Sequence, residues 1–168
     1  MVLYGTTHRV GDGVTTAQII APDARSDDPA QLAAHCLAAI DLSLAEQVVE
    51  GDLLLAGRDF GTGDDPEIAV LALQALGLAA IVCASSASTF VATAESYGLP
   101  VIVSAEATAT IIPGTVARID LERGTLTDRT TNAVYPFAPC SPALVVATRR
   151  ATLLQRMRRV VEDEGFDG

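Results

Sequence analysis

The apolar positions of this chain fall into two regimes. From Leu53 to Val103 they come in short runs punctuated by glycine and proline, and from Thr115 they alternate with polar residues. The first regime predicts strand, helix, strand, helix, strand. Leu53–Ala56 is short and wholly apolar, as a strand buried on both faces must be. Pro66 to Leu76 reads as a helix, with Asp65 as N-cap, Pro66 in the first turn and Gly77 just past the end. Its Ile68, Val70, Leu71, Leu73 and Leu76 leave little polar face, so it should be largely buried. Ala79–Cys83 is the next strand, Ser85 to Tyr97 a second helix closed by Gly98, and Val101–Val103 a third strand. This alternation implies a parallel sheet with right-handed crossovers. Such sheets bind ligands beyond the C-terminal ends of their strands. The loops Gly57–Asp65 and Ala84–Ser88 meet there.

The flanks read differently. Pro29 to Ile40 is expected to be a helix with Leu32, Ala33, Cys36, Leu37 and Ile40 on one face, followed by a shorter one from Ser43 to Val49. Glu106–Ile112 is a further short helix. From Thr115, Val116, Arg118 and Asp120 alternate against Ala117, Ile119 and Leu121, with Arg123-Gly124 as the turn and Leu126 starting the return strand. Val134–Phe137 is a short extended piece. Ser141-Pro142 opens a long C-terminal helix, with Leu144, Val145, Leu154, Met157 and Val161 as its packed side. Its Arg149, Arg150, Arg156, Arg158 and Arg159 read as a solvated face, the alternative being a docking patch for an acidic partner. The fold class expected is α/β: one domain over 1–168, layered, with a mostly parallel central sheet, a β-hairpin region and a C-terminal helix.

Composition narrows the function. The formal charge is −10, and all eleven basic residues are Arg. That balance opposes binding to nucleic acid or to anionic membranes, which need a basic surface. No run approaches the length of a membrane span, and Met1 to Gly13 has no signal-peptide character. Cys36, Cys83 and Cys140 are odd in number and widely spaced, so neither a disulfide framework nor a CxxC metal site is indicated. Three reduced thiols, two or more of them buried, in a cytoplasmic protein is the expectation.

The candidate chemistry sits in Gly57-Arg58-Asp59-Phe60-Gly61-Thr62-Gly63-Asp64-Asp65. Three glycines in seven residues permit tight turns and close approach of a ligand to the backbone. The loop delivers its last residues to a helix start, where N–H groups point outward. Asp64 and Asp65 are the candidate catalytic carboxylates, in competition with a plain capping role. Arg58, Gly61, Thr62 and Gly63 from this loop, Ser85 and Ser88 from the second, and Arg25 from Pro22–Asp28 are the candidate substrate contacts. Hydroxyls among Ser85, Ser86, Ser88 and Thr89 are alternatively helix caps. Arg58 is alternatively an ion-pair partner of Asp59. His8 has no visible partner, and His35 reads as a packing or surface residue.

Several segments together resemble the small subunit of isopropylmalate isomerase, the swivelling-domain member of the aconitase superfamily. Gly11-Asp12-Gly13-Val14-Thr15-Thr16-Ala17-Gln18-Ile19-Ile20-Ala21-Pro22 echoes the pattern GDNIDTDxIIP. Leu32-Ala33-Ala34-His35-Cys36 echoes the helix that follows. Gly57 to Leu73 echoes GxNFGCGSSREHAxxAL, Ala75-Leu76-Gly77 to Phe90 echoes ALGxxAVIAxSFARIF, and Tyr97-Gly98-Leu99-Pro100 echoes NGLP. The resemblance covers most of the chain. It implies a β/α domain that closes over a large subunit holding a [4Fe–4S] cluster on three cysteines. The pair would dehydrate a hydroxy acid and rehydrate the alkene, the small subunit supplying a serine base and substrate-gripping arginines. No cofactor is expected on this chain itself, and whether the isolated chain is a homo-oligomer is left open by the sequence.

The departures fall on the chemistry. The serine pair and arginine of GSSREH correspond to Asp64, Asp65 and Pro66, and the histidine to Ile68. The arginine of SFARIF corresponds to Ser88, and the later arginine–asparagine pair to Ala92 and Thr93. A proline donates no hydrogen bond, and two aspartates repel an anionic substrate, whereas an arginine fork grips one. The expectation is therefore a hydro-lyase subunit whose substrate differs from isopropylmalate. The alternative is a non-catalytic binding or structural module on the same fold. A free-standing phosphate-binding protein is disfavoured, because two carboxylates would face the phosphate and no GxxxxGK[ST] motif is present.

Overall fold

The structure is a computed structural model and describes residues 1–163. In chain order the elements are β1 (Val2–Arg9), α1 (Thr16–Ile19), a 3-10 turn (Pro22–Ala24), α2 (Pro29–His35), α3 (Leu44–Gln47), β2 (Leu53–Ala56), α4 (Pro66–Leu76), β3 (Ala80–Cys83), α5 (Ser88–Ser96), β4 (Val101–Val103), α6 (Ala105–Thr110), β5 (Val116–Asp120), β6 (Thr125–Asp128), β7 (Val134–Pro136) and α7 (Pro142–Asp163). One seven-stranded sheet runs in the order β4-β3-β2-β1-β5-β6-β7. The β4-β3-β2-β1 half is parallel and the β1-β5-β6-β7 half is antiparallel. The expected βαβαβ unit and hairpin are both present, as halves of one mixed sheet.

The strand that joins them was not anticipated. β1 pairs in parallel with β2, matching Thr7 to Leu53, and antiparallel with β5, matching Gly5 to Ala117. Its inward positions are Leu3, Gly5 and Thr7, so two of its three buried residues carry no apolar signal. Within β1, His8 places Nε2 2.7 Å from Asp52 Oδ2. The partner that the local sequence failed to offer comes from 44 residues away.

The sheet separates two cores. Leu54, Ala56, Ile81 and Cys83 face α2, α4 and α5, while Leu53, Leu55, Ala80 and Val82 face the other side, with Ile102, Ala107, Ile119 and Leu126. A central strand covered on both faces needs an apolar residue at every position. That is why β2 and β3 read as unbroken apolar runs.

Two helices differ from the sequence pattern. The helix expected from Pro29 to Ile40 ends at His35, and Leu37 is left-handed (φ 60°). Leaving the helix there buries both Cys36 and Leu37 completely and lets the Leu37 N–H donate to the Ile19 carbonyl at 2.7 Å. In α7, Leu144 and Val145 are buried as expected, but Leu154, Met157 and Val161 are more than half exposed. The side turned to the body carries small and polar residues instead. A Cβ on Gly98 would lie 2.3 Å from the Ala147 carbonyl oxygen, and Gln155 Nε2 donates to the Gln74 carbonyl at 2.9 Å. Close approach, not apolar bulk, decides which face of α7 packs.

Candidate functional site

The parallel strands β1, β2 and β3 point their C-terminal ends at one set of loops. Gly57 N–H donates to the Gly11 carbonyl, Gly13 N–H to the Arg58 carbonyl and Gly61 N–H to the Val14 carbonyl. The β2–α4 loop is thereby stitched to the β1–α1 loop on one side. On the other, Phe60 N–H donates to the Ser85 carbonyl and Ala84 N–H to the Gly57 carbonyl. The two loops predicted to meet do meet, and a third joins them.

Two glycines make this fit possible. A Cβ on Gly57 would stand 1.8 Å from Asp12 Oδ1, which accepts the Arg58 N–H at 2.8 Å. Gly61 has φ +79°, and a Cβ there would lie 2.4 Å from the Phe90 ring. Asp59 (φ 56°) and Asp65 (φ 54°) are also left-handed, a conformation that aspartate tolerates better than most residues. Asp12 belongs to the site although no catalytic motif singles it out. The signal available in the sequence was its place in the Gly11-Asp12 pair of the opening motif.

The side chains depart from the capping expectation. Asp65 stands at the N-cap of α4 but makes no side-chain cap hydrogen bond. A capping oxygen reaches the first-turn amides from extended backbone, and Asp65 is left-handed. Its carboxylate instead accepts from Arg25 Nη2 at 2.9 Å. Thr16 grips the loop from the α1 side: its N–H donates to the Thr62 carbonyl at 2.9 Å and its hydroxyl to the Asp64 carbonyl at 2.6 Å. The Asp64 carboxylate is exposed and has no partner among the described residues. The N–H groups of Gly63, Asp64 and Asp65 likewise have none among the described residues, whereas Thr62 is bridged through its backbone to the α1 loop beside Thr15.

The second loop also turns toward the first. Helix α5 starts at Ser88 with Ala87 at its N-cap, so no serine caps it. Ser85 Oγ accepts the Asp59 N–H at 2.9 Å, and Ser86 Oγ donates to the Phe60 carbonyl at 2.8 Å. Ser88 is exposed at the helix start. Arg58 does not pair with Asp59; its side chain is exposed and makes no ion pair among the described residues. The structure thus brings Asp64, Asp65, Arg25, Thr62, Gly63 and Ser85 to one rim. It leaves Arg58 and Ser88 as exposed arms beside it.

Two cavities lie elsewhere, against α7: one of about 740 Å³ between Tyr4, Glu50, Arg156 and Val160, and one of about 460 Å³ between Leu71, Tyr97, Leu154 and Arg158. The glycine-loop rim is open to solvent. No group of three or more His, Cys, Asp or Glu side chains able to hold a metal occurs among the described residues. Burial drives the Cys36 thiol far above its ordinary value and pushes Cys83 up to about 11, so both are protonated thiols inside the first core.

The 3-isopropylmalate dehydratase small subunit of Moorella thermoacetica is 35% identical over 163 residues, covering 96% of this chain and 98% of the relative. The chain belongs to the 3-isopropylmalate dehydratase small-subunit family. The methanogen homoaconitase small subunit of Methanocaldococcus jannaschii is 39% identical over 125 residues, 73% of this chain and 72% of its own length. Among solved structures, the 3-isopropylmalate dehydratase of Methanocaldococcus jannaschii superposes with a TM-score of 0.81 at 30% identity, covering 98% of this chain and 99% of that one. No protein-family model matches the chain. Its relatives in the dehydratase small-subunit family therefore carry more than one enzyme name on a common fold. No helix among the described residues of this family member is long and apolar enough to cross a membrane.

Proposed function

We propose that the chain is the small subunit of an aconitase-like hydro-lyase whose substrate is a hydroxy acid other than isopropylmalate. It works by closing over a large subunit that holds a [4Fe–4S] cluster. The observation that carries this reading is a rigidly stitched glycine loop whose exposed Gly63, Asp64 and Asp65 offer the Asp64 carboxylate and three N–H groups without partners among the described residues. A rim of that kind is complete only against another surface. The three cysteines of this chain are dispersed, two of them in the core, so the cluster is assigned to the partner. There it would supply the Lewis acid that takes the departing hydroxyl.

The residues of this chain divide the remaining work. Dehydration removes a proton from one carbon and a hydroxyl from its neighbour. The Asp64 carboxylate takes that proton and returns it in the reverse step. The N–H groups of Gly63, Asp64 and Asp65 hydrogen-bond a substrate carboxylate at the start of α4, the task that arginine performs in the resembled motif. Arg25, held by Asp65, and the unpaired Arg58 supply the positive charge that offsets the acidic rim. Ser85 fixes the Asp59 turn, and the Ser88 hydroxyl reaches the substrate's polar end. Two neighbouring carboxylates suit a substrate with less anionic charge on this side than isopropylmalate has.

The test is reconstitution with a large subunit of the dehydratase family from the same organism. The expected result is a stable complex that contains iron and turns over a hydroxy acid. Asp64→Ala should lower kcat by about 100-fold or more, as loss of a general base does, with complex formation and fold retained. Full turnover by that variant, or a chain that binds no iron-containing partner, would overturn the catalytic reading in favour of a non-catalytic module.

A further inference from the structure

The antiparallel half of the sheet has one face in the second core and the other in solvent. Its register lines up the solvent-side positions. Val134 pairs with Thr127, Thr127 with Arg118 and Arg118 with Tyr4, so one row crosses β7, β6, β5 and β1. The ends of the row are open, Val134 at 56% and Tyr4 at 55% exposure, and Val116 beside it stands at 41%.

Charge gives this face its character. Two guanidiniums converge on the Tyr4 ring, Arg118 at 5.9 Å and Arg129 at 5.6 Å from its centroid. Arg118 is held there by its Nε, which donates to the Tyr4 hydroxyl at 3.2 Å. Its one carboxylate neighbour, Asp120, lies 4.0 Å away and already accepts the Arg123 N–H. Arg129 makes no ion pair among the described residues. A ring face attracts a cation, but two cations on one ring repel each other. An anion between them removes that repulsion and meets two guanidinium forks, the geometry that suits a carboxylate. The chain as a whole carries −10, so this face is a local reversal of sign. A second copy is a poor occupant, because two-fold pairing of the face would crowd the arginines of both copies together. Tyrosine and arginine among apolar residues are the composition of protein interfaces.

We infer that the outer face of the β1-β5-β6-β7 half docks an acidic segment of the large subunit, with a carboxylate seated between Arg118 and Arg129 beside Tyr4. The inference rests on the reading of this chain as a small subunit with a large partner. Tyr4 lies about 17 Å before the end of β1, so a partner that closes over the glycine loop reaches this face as well. The contact is a second foothold, apart from the residues assigned to the chemistry.

Isothermal titration of the full chain with a large subunit of the dehydratase family from the same organism tests it. Arg129→Glu should weaken binding about tenfold, and Arg129→Glu combined with Arg118→Gln about 100-fold, with circular dichroism unchanged. Arg129 is exposed, so its variant decides alone if Arg118→Gln disturbs the hairpin. Arg150→Glu on α7 makes the same change in net charge and should leave binding as it is. Added salt should weaken the wild type more steeply than the double variant. Variants that bind like wild type overturn the inference and leave the hydro-lyase reading standing. Equal salt slopes overturn the acidic identity of the occupant, and equal losses from Arg150→Glu and Arg129→Glu overturn its location. A wild-type chain that binds no large subunit overturns the reading beneath, and this inference with it.

Discussion

Asp120 ends strand β5 and anchors the hairpin turn. Its Oδ1 accepts the Arg123 N–H at 3.0 Å, and its other oxygen lies 3.8 Å from Arg123 Nε. The backbone hydrogen bond from Arg123 is the main cause that holds its pKa below the ordinary 3.8, helped by the charges of Arg123, the N-terminus and Arg118. A carboxyl depressed in the folded state stabilises the fold above its unfolded pKa, and that contribution fades as pH falls through the folded value. Urea unfolding of wild type and Asp120→Asn should therefore differ most near neutrality, and the two midpoints should converge below about pH 4. A gap that stays constant into acid would reject this role. At the same scale, sequence reasoning located the rim residues but not their directions. Asp65 was legible as the residue before α4, yet its left-handed backbone and its bond to Arg25, 40 positions away, depend on where the Pro22–Ala24 turn ends up. Ser85 was legible as polar at a loop, but its role as acceptor for Asp59 depends on β2 lying beside β3.

At the scale of elements, the glycine loop is a fitted piece and not a flexible one. Gly61 combines a positive φ with contact against Phe90, whose ring stacks edge-on to Phe60 at 5.2 Å between centroids. Gly61→Ala adds left-handed strain and an overpacked core together. It should cost about 3 kcal/mol, measurable by equilibrium urea unfolding, with binding of the large subunit weakened in parallel. A loss under about 0.5 kcal/mol would mean the loop can relax away from Phe90. Helix α4 and the β5–β6 hairpin were readable because the Pro66 start, the Gly77 stop, the turn and the periodicity are local. Strand β1 was not, because its buried positions include Gly5 and Thr7. The outward face of α7 was misread because apolar spacing reports a covered face without saying which molecule covers it.

At the scale of the whole molecule, the sheet keeps two cores apart, and the cysteines report on them. Cys36 and Cys83 lie in the first core, with thiol pKa values raised by burial; Cys140 borders the second and is only half-buried, its own thiol raised by burial and by Glu95. Alkylation needs both access and thiolate. In native protein, mass spectrometry should find Cys140 labelled first, through local opening. Cys36 and Cys83 should stay silent until the urea midpoint and then react together. Labelling of either at the rate of Cys140 below that midpoint would show that the first core opens separately.

The amino-acid order by itself determined the βαβαβ unit, the hairpin and the place of the acidic glycine loop. These follow from nearest-neighbour physics: backbone preference, periodicity and charge. Only the tertiary structure decided that β1 lies between the two halves of the sheet, that Thr16 and Arg25 hold the loop and Asp65, and that α7 offers its apolar stripe outward. Those outcomes depend on which surfaces arrive at the same place, and contacts between residues dozens of positions apart leave no periodic trace along the chain.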